Sequence, residues 1–293
     1  MKGYNMFGEC HAHIFMNGFD YQGAVKAHEK KPDEDLIRLH LSAYQKAGVT
    51  FVRDGGDRFG ASLLAREIAP EYGITYITPG FAIHREGCYG KVVGHSYSDL
   101  KEYAGLVKQL KDDGGDFVKI MTTGIMDFDT GGKVTGEPLP RYEVKEMVHI
   151  AHEEGFKVMS HTNTAQAVID AAEAGVDSIE HGNYQNMESI RCMKEHDVIW
   201  VPTVVTVRNL IGCGRFSDEV LKRIWASQQE GLRMAWNVGV QMVLGSDAGA
   251  FMVPHGIGIQ DEYRAFSTVL GESEELRKHL IKGEERIREF RRA

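Results

Sequence analysis

AHEEGFKVMSHTNTAQAVIDAAEAGVDSIEHG, residues 151–182, spans one full structural repeat. Its opening residues close a helix over 142–154, which presents Val144, Met147, Val148 and Ala151 at helical spacing and stops at Gly155. A β-rich run follows over 156–161, then a helix over 165–174 that stops at Gly175, then a second β-rich run over 177–181. Glycine ends each helix because it enters the left-handed C′ conformation without a Cβ clash. Each β-rich run ends in a histidine, His161 after FKVMS and His181 after DSIE.

The same punctuation recurs on both sides. Further β-rich runs lie at 5–11, 49–54, 75–83, 116–122, 198–204 and 240–247. A helix over 33–47 has acidic residues in its first turn and stops at Gly48; another over 217–238 stops at Gly239. Eight strands alternating with helices admit a closed parallel barrel or an open doubly wound sheet. A dinucleotide fold would place G-x-G-x-x-G after its first strand, whereas this first strand ends in His11-Ala12-His13. No P-loop and no H-E-x-x-H helix occurs. The count of eight, in 293 residues, predicts a (β/α)8 TIM barrel, a fold of about 250 residues. The whole chain, 1–293, is expected to be one domain with a helical tail from about 272.

Composition excludes several function classes. Charged residues make up 26% and hydrophobic residues 42%, as in soluble globular proteins. A net charge of −8 argues against a nucleic-acid partner, because phosphate binding wants a basic surface. No apolar run approaches the roughly 20 residues of a membrane helix, and the N-terminus lacks the apolar core of a signal peptide. A cytoplasmic chain with no membrane partner is expected. Cys10, Cys88, Cys192 and Cys213 form no C-x-x-C pair, which fits free thiols in a reducing compartment.

The chemistry lies in polar residues placed where apolar barrel strands should not have them. His11 and His13 end strand one, and alternation in a strand makes the two imidazoles converge while Cys10 and Ala12 face away. Lys119 ends strand four within FVKIM, His161 ends strand five, His181 strand six, and Asp247 strand eight within MVLGSD. All six fall at the strand C-termini, where barrel enzymes hold their active sites. Each alone has an ordinary explanation: a hydrogen-bonded histidine, an aspartate N-cap, a lysine paired with a buried carboxylate. Together they would bury several polar and cationic groups at one rim without enough partners, at roughly several kcal/mol each. A metal centre removes that conflict, since neutral imidazoles and carboxylates are ligands of zinc-like cations. Two neighbouring motifs carry no chemistry. The loop from Asp127 has Gly131 at its fifth position and Pro138 at its twelfth, so it is no EF-hand. Ser160 and His161 are adjacent in a strand and face opposite sides, so they are no nucleophile pair.

The order HxH, Lys, His, His, Asp on strands one, four, five, six and eight resembles the binuclear branch of the amidohydrolase superfamily. The stretches GDFVKIMTTG (115–124), AHEEGFKVMSHTNT (151–164), AGVDSIEHGNYQNMESI (174–190), VPTVV (201–205) and GVQMVLGSDAGAFMVPHG (239–256) resemble its imidazolonepropionase-like and Xaa-Pro or Xaa-Arg dipeptidase-like subgroup. That resemblance implies that His11, His13 and Asp247 hold one divalent metal and that His161 and His181 hold a second. Zinc is the metal expected, with Lys119 bridging the pair as an N6-carboxylated side chain. Members usually carry a small β-sandwich built from residues flanking the barrel. Few residues precede strand one here, and the tail IKGEERIREFRRA is helical in character, so a barrel lacking most or all of that sandwich is expected, either a barrel-only member or a fragment of a longer chain.

The function expected is hydrolysis of an amide-type C–N bond in a dipeptide, an N-acyl amino acid or a cyclic amide. A metal-bridged hydroxide would attack, and Asp247 would shuttle the proton to the leaving nitrogen. The same metal set would also serve a lactonase or a phosphotriester hydrolase. A barrel that binds metal or ligand without turnover is a third outcome, against which the intact Asp247 argues. The partner is a small-molecule substrate, met by the βα loops, where His84, Tyr89, Arg208 and His255 are the candidate contacts. The missing sandwich leaves a homo-oligomer open.

Overall fold

The computed structural model describes residues 7–292. Among the described residues there are nine strands: β1 (Glu9–Ala12), β2 (Phe51–Asp54), β3 (Thr75–Ile77), β4 (Ala82–Arg85), β5 (Gly94–Tyr97), β6 (Val118–Met121), β7 (Val158–Thr162), β8 (Ser178–His181) and β9 (Ile199–Val201). All their pairings are parallel: β1-β2-β3 in one sheet and β5-β4-β6-β7-β8-β9 in the other.

The two sheets join into one ring. Residues 241–248 are too irregular to count as a strand, yet they bond both neighbours. Trp200 N donates to Gln241 O and Val243 N to Trp200 O on the β9 side; Cys10 N donates to Leu244 O and Asp247 N to His11 O on the β1 side. At the other seam Asp116 N donates to Thr78 O. The expected run 75–83 is split into β3 and β4 by Pro79, which has no N–H for a ladder, and by Gly80 at φ 78°. β5 pairs only with β4 and stands outside the ring of eight positions. The (β/α)8 barrel expected from the sequence is therefore present, and no separate sandwich is seen among the described residues. Residues 5 and 6 of the expected first strand lie outside them.

Helix boundaries follow local chemistry. The helix Glu34–Ala47 begins where the Asp33 carboxylate accepts from Leu36 N and ends at left-handed Gly48. Arg141–Glu153, Ala165–Ala174 and Asp218–Val238 match the sequence spans to within a residue. The tail helix Glu274–Arg288 closes the floor of the barrel. Its Ile287, with Phe290 just beyond, packs against Phe51, Phe117, Met159 and Val243, and the Glu284 carboxylate accepts from Gly8 N. With the bottom sealed by apolar contact, the barrel opens at the strand C-termini. No helix among the described residues is long and apolar enough to cross a membrane, and all four cysteines are free.

Candidate metal centre

β1 is irregular between Glu9 and Ala12, and strict alternation fails there. Cys10 packs with the barrel-floor cluster, contrary to the outward position expected for it. His11 and His13 still converge, with ring centroids 5.4 Å apart. In β8, alternation would send Glu180 and His181 to opposite faces. His181 adopts a left-handed φ of 65°, and both side chains reach the same interior: Glu180 bonds the His11 ring, and the His181 ring lies 5.0 Å from that of His11 and 4.6 Å from that of His161. Asp247 and Thr203 are also left-handed, at φ 61° and 50°. Such non-glycine strain collects at functional sites.

Each of the four histidines has one ring nitrogen engaged by a protein oxygen. His11 Nδ1 donates to Glu180 Oε2 at 2.6 Å and His13 Nδ1 to Gly56 O at 3.2 Å. His161 Nε2 donates to Gly124 O at 3.1 Å, and His181 Nδ1 meets Thr203 Oγ1 at 2.7 Å. The bonds of His11, His13 and His161 go to acceptor-only oxygens, so they fix those tautomers and leave one lone-pair nitrogen per ring, the arrangement found around metal-ligating histidines; the Thr203 hydroxyl can donate or accept. The His11 Nε2 so left is buried and has no hydrogen-bond partner. Asp247 Oδ1 lies 3.5 Å from His11 Nε2 and 3.7 Å from His13 Nε2. Two ligands of one tetrahedral zinc, at bonds of about 2.0–2.1 Å, stand roughly 3.3–3.4 Å apart. The residues therefore fit a divalent cation. The tightest set is His11, His181 and Asp247, whose ligand atoms all lie within 4.8 Å of one another. His181 thus stands nearer the HxH pair than a strict division into two separate ligand sets would place it.

Electrostatics favour ligation. Burial, reinforced by the Lys119 charge, pushes His13 and His161 down to about 3. Burial likewise holds His11 and His181 well below the usual imidazole range. All four are neutral at pH 7, as ligands must be. Burial lowers Lys119, which is 1% exposed, and raises Asp247, with the Lys119 charge opposing the latter. Beneath the site lies a buried network that was not singled out from the sequence. The Arg53 guanidinium donates to both Glu180 oxygens at 2.8 and 3.0 Å, to Ser178 Oγ and to Cys10 O. Its signal was an arginine in the otherwise apolar start of β2.

Above the six residues opens a cavity of about 400 Å³ with mostly apolar walls, including Met16, Ile125, Phe128, Leu210 and Phe251. Of the expected substrate contacts, Tyr89 lines it, with its ring 5.3 Å from His161. The other three are not brought there. His84 Nδ1 donates to Arg85 O, away from the cavity lining. Arg208 belongs to the one-turn helix Val205–Arg208, whose Thr206 faces the cavity; two residues on, Arg208 faces a separate groove beside Trp225 and Asp261. His255 is buried, bonded to Tyr44 OH and Met16 O with its ring 4.1 Å from that of His40, so it braces the barrel wall. Arg215, Asn163 and Asn183, which do line the cavity, were missed. They sit in loops or just past strand ends, where no periodicity marks them.

Comparison with known proteins bears on the fold and the family. A prolidase complexed with N-methylphosphonate-L-proline superposes with a TM-score of 0.78 at 24% identity, covering 97% of this chain and 74% of that one. A Xaa-Pro dipeptidase with methionine bound in its active site gives 0.74 at 23% identity, over 96% and 76%. At these identities the likeness concerns the fold. Uncharacterized proteins of Mycobacterium bovis and Mycobacterium tuberculosis are 30% identical over 132 residues, 43% of this chain and 35% of theirs. The match thus spans about a third of those relatives. The model of the amidohydrolase family matches residues 7–270, and the chain belongs to that family.

Proposed function

We propose that this chain hydrolyses an amide-type C–N bond with two divalent metal ions, zinc in the first instance. One observation carries the proposal: four buried imidazoles converge at one rim, three of them with a lone-pair nitrogen left by their hydrogen bonds, and His11 Nε2 has no hydrogen-bond partner. His11, His13 and Asp247 would hold one ion, and His161 and His181 the other. Lys119, buried between them and shifted toward its neutral amine, would bridge as a carbamate. A neutral amine is the form that adds CO₂, and the anion so formed replaces a cation that two metals would repel.

When bound, the metal pair would supply an activated water at neutral pH and a Lewis acid for the carbonyl oxygen. Asp247 does the proton work. Its burial makes the carboxylate a better base than a solvated one, so it can take a proton from the attacking water and pass it to the leaving nitrogen. The apolar walls hold the body of the substrate and thin the water around the reacting bond. The choice of an amide draws support from the likeness to a prolidase and a Xaa-Pro dipeptidase. The substrate classes proposed are dipeptides, N-acyl amino acids and cyclic amides.

The test is a panel of these amides, with lactones and aryl phosphotriesters, assayed on metal-replete protein. Turnover confined to amides is the expected result. Turnover confined to lactones or phosphotriesters would overturn the bond type, and silence across the panel would overturn the enzymatic function.

A further inference from the structure

The rim of the cavity carries a cation with no counter-charge. Arg215 lies between the helices Val205–Arg208 and Asp218–Val238, lines the cavity and is exposed, whereas Lys119 at the floor is buried. Its guanidinium carbon stands 4.7 Å from the Phe251 ring centroid and 5.3 Å from that of Phe216. Phe216 in turn stacks on Phe128 at 5.2 Å. Three loops therefore meet here: one after β6, one after β9, and one after the eighth barrel position.

Contact with two rings steadies the guanidinium and takes none of its N–H donors. Among the described residues Arg215 makes no ion pair or hydrogen bond. Asp247, at the floor, is the one acidic side chain among the cavity-lining residues. A planar cation steadied in this way is a receptor for a carboxylate, which it can bind through two parallel hydrogen bonds. The exposed Arg215 and the buried Lys119 line the same cavity, most of whose other walls are apolar. The α-carboxylate of a dipeptide sits one carbon from the scissile nitrogen and would stay near the floor. A charge read at the mouth requires a spacer.

We infer that the substrate is an amide whose carboxylate lies across an aryl or long alkyl spacer from the scissile bond, and that Arg215 reads this carboxylate. The inference rests on the hydrolase function proposed above and narrows its substrate.

The probes are N-acetyl-4-(aminomethyl)benzoate and 4-carboxyphenylacetamide, which place the charge on either side of the amide. Their neutral carboxamides and N-acetylglycine serve as comparisons. Affinity is measured by calorimetry on metal-free protein, where nothing turns over. At least one aryl acid should bind about 10- to 100-fold tighter than its carboxamide, the range of a hydrogen bond to a charged group. Arg215→Met should abolish that preference, and Arg215→Lys should keep part of it. Equal binding of acid and carboxamide to the wild type, or an unchanged preference in Arg215→Met, would overturn Arg215 as the reader. N-acetylglycine binding as tightly as the aryl acids would overturn the spacer. Turnover is followed separately on metal-loaded protein. No hydrolysis, with Arg215-dependent binding intact, would overturn the hydrolase function and uphold the receptor.

Discussion

Glu180→Gln should damage both the fold and the metal centre, in separable amounts. Glu180 and Arg53 are each fully buried. The carboxylate takes two bonds from Arg53 Nη2, at 2.8 and 3.0 Å, and one from His11 Nδ1 at 2.6 Å. Glutamine keeps the shape and one acceptor but removes the charge. Arg53 is then left ionised in the barrel interior with no counter-charge, and breaking a buried pair in this way costs about 3–5 kcal/mol. Against a total stability of roughly 5–15 kcal/mol that is a large share. For a chain of this size it corresponds to a fall in Tm of roughly 6–10 °C. The loss of the carboxylate behind His11 should weaken metal binding by about 10- to 100-fold. Urea unfolding of metal-free protein measures the first effect, and competition with a chelator measures the second. Arg53→Met in the Glu180→Gln background should recover much of the stability, because no orphan charge remains, but it should not recover the metal affinity. A Glu180→Gln protein within about 1 kcal/mol of wild type, or one with unchanged metal affinity, would refute this reasoning.

Asp247→Asn keeps one ligating oxygen but cannot take a proton; kcat should fall about 10²–10⁴-fold with little change in KM, checked by steady-state kinetics alongside metal content. Lys119→Ala should lose activity and regain part of it with short-chain carboxylic acids in the assay, since these can replace the carbamate. Burial pushes His40 down to about 4, so the unfolded chain binds more protons than the folded one between pH 6.5 and 4. Its contribution, on the order of 3 kcal/mol, is present in full above pH 6.5 and lost as pH falls through 4. Stability curves at pH 7 and pH 4 should therefore converge partly in His40→Gln.

The repeat architecture was legible because helix periodicity, closing glycines and β-rich runs agreed with one another over 151–182 and along the chain. The six rim residues were legible for a different reason: each breaks the apolar character of a strand end. What escaped was set by tertiary context. Alternation could not foresee the irregular β1 that turns Cys10 inward, or the left-handed His181 that brings Glu180 and His181 to one side. The tail was legible only as a helix, yet its Ile287, with Phe290 just beyond, packs into the barrel floor. Loop residues were the least legible. His255 and Arg208 have the chemistry of substrate contacts, but packing against His40 and the turn of a short helix direct them elsewhere, while Arg215 reaches the cavity from a loop without periodicity.

Whether Lys119 joins a pair of metals is tested by a crystal of protein loaded with zinc and bicarbonate, through anomalous scattering at the zinc edge. Two peaks per chain are expected, about 3.5–4 Å apart, with density for a carboxylated Lys119 between them. A single peak held by His11, His181 and Asp247, beside an unmodified Lys119, would contradict it.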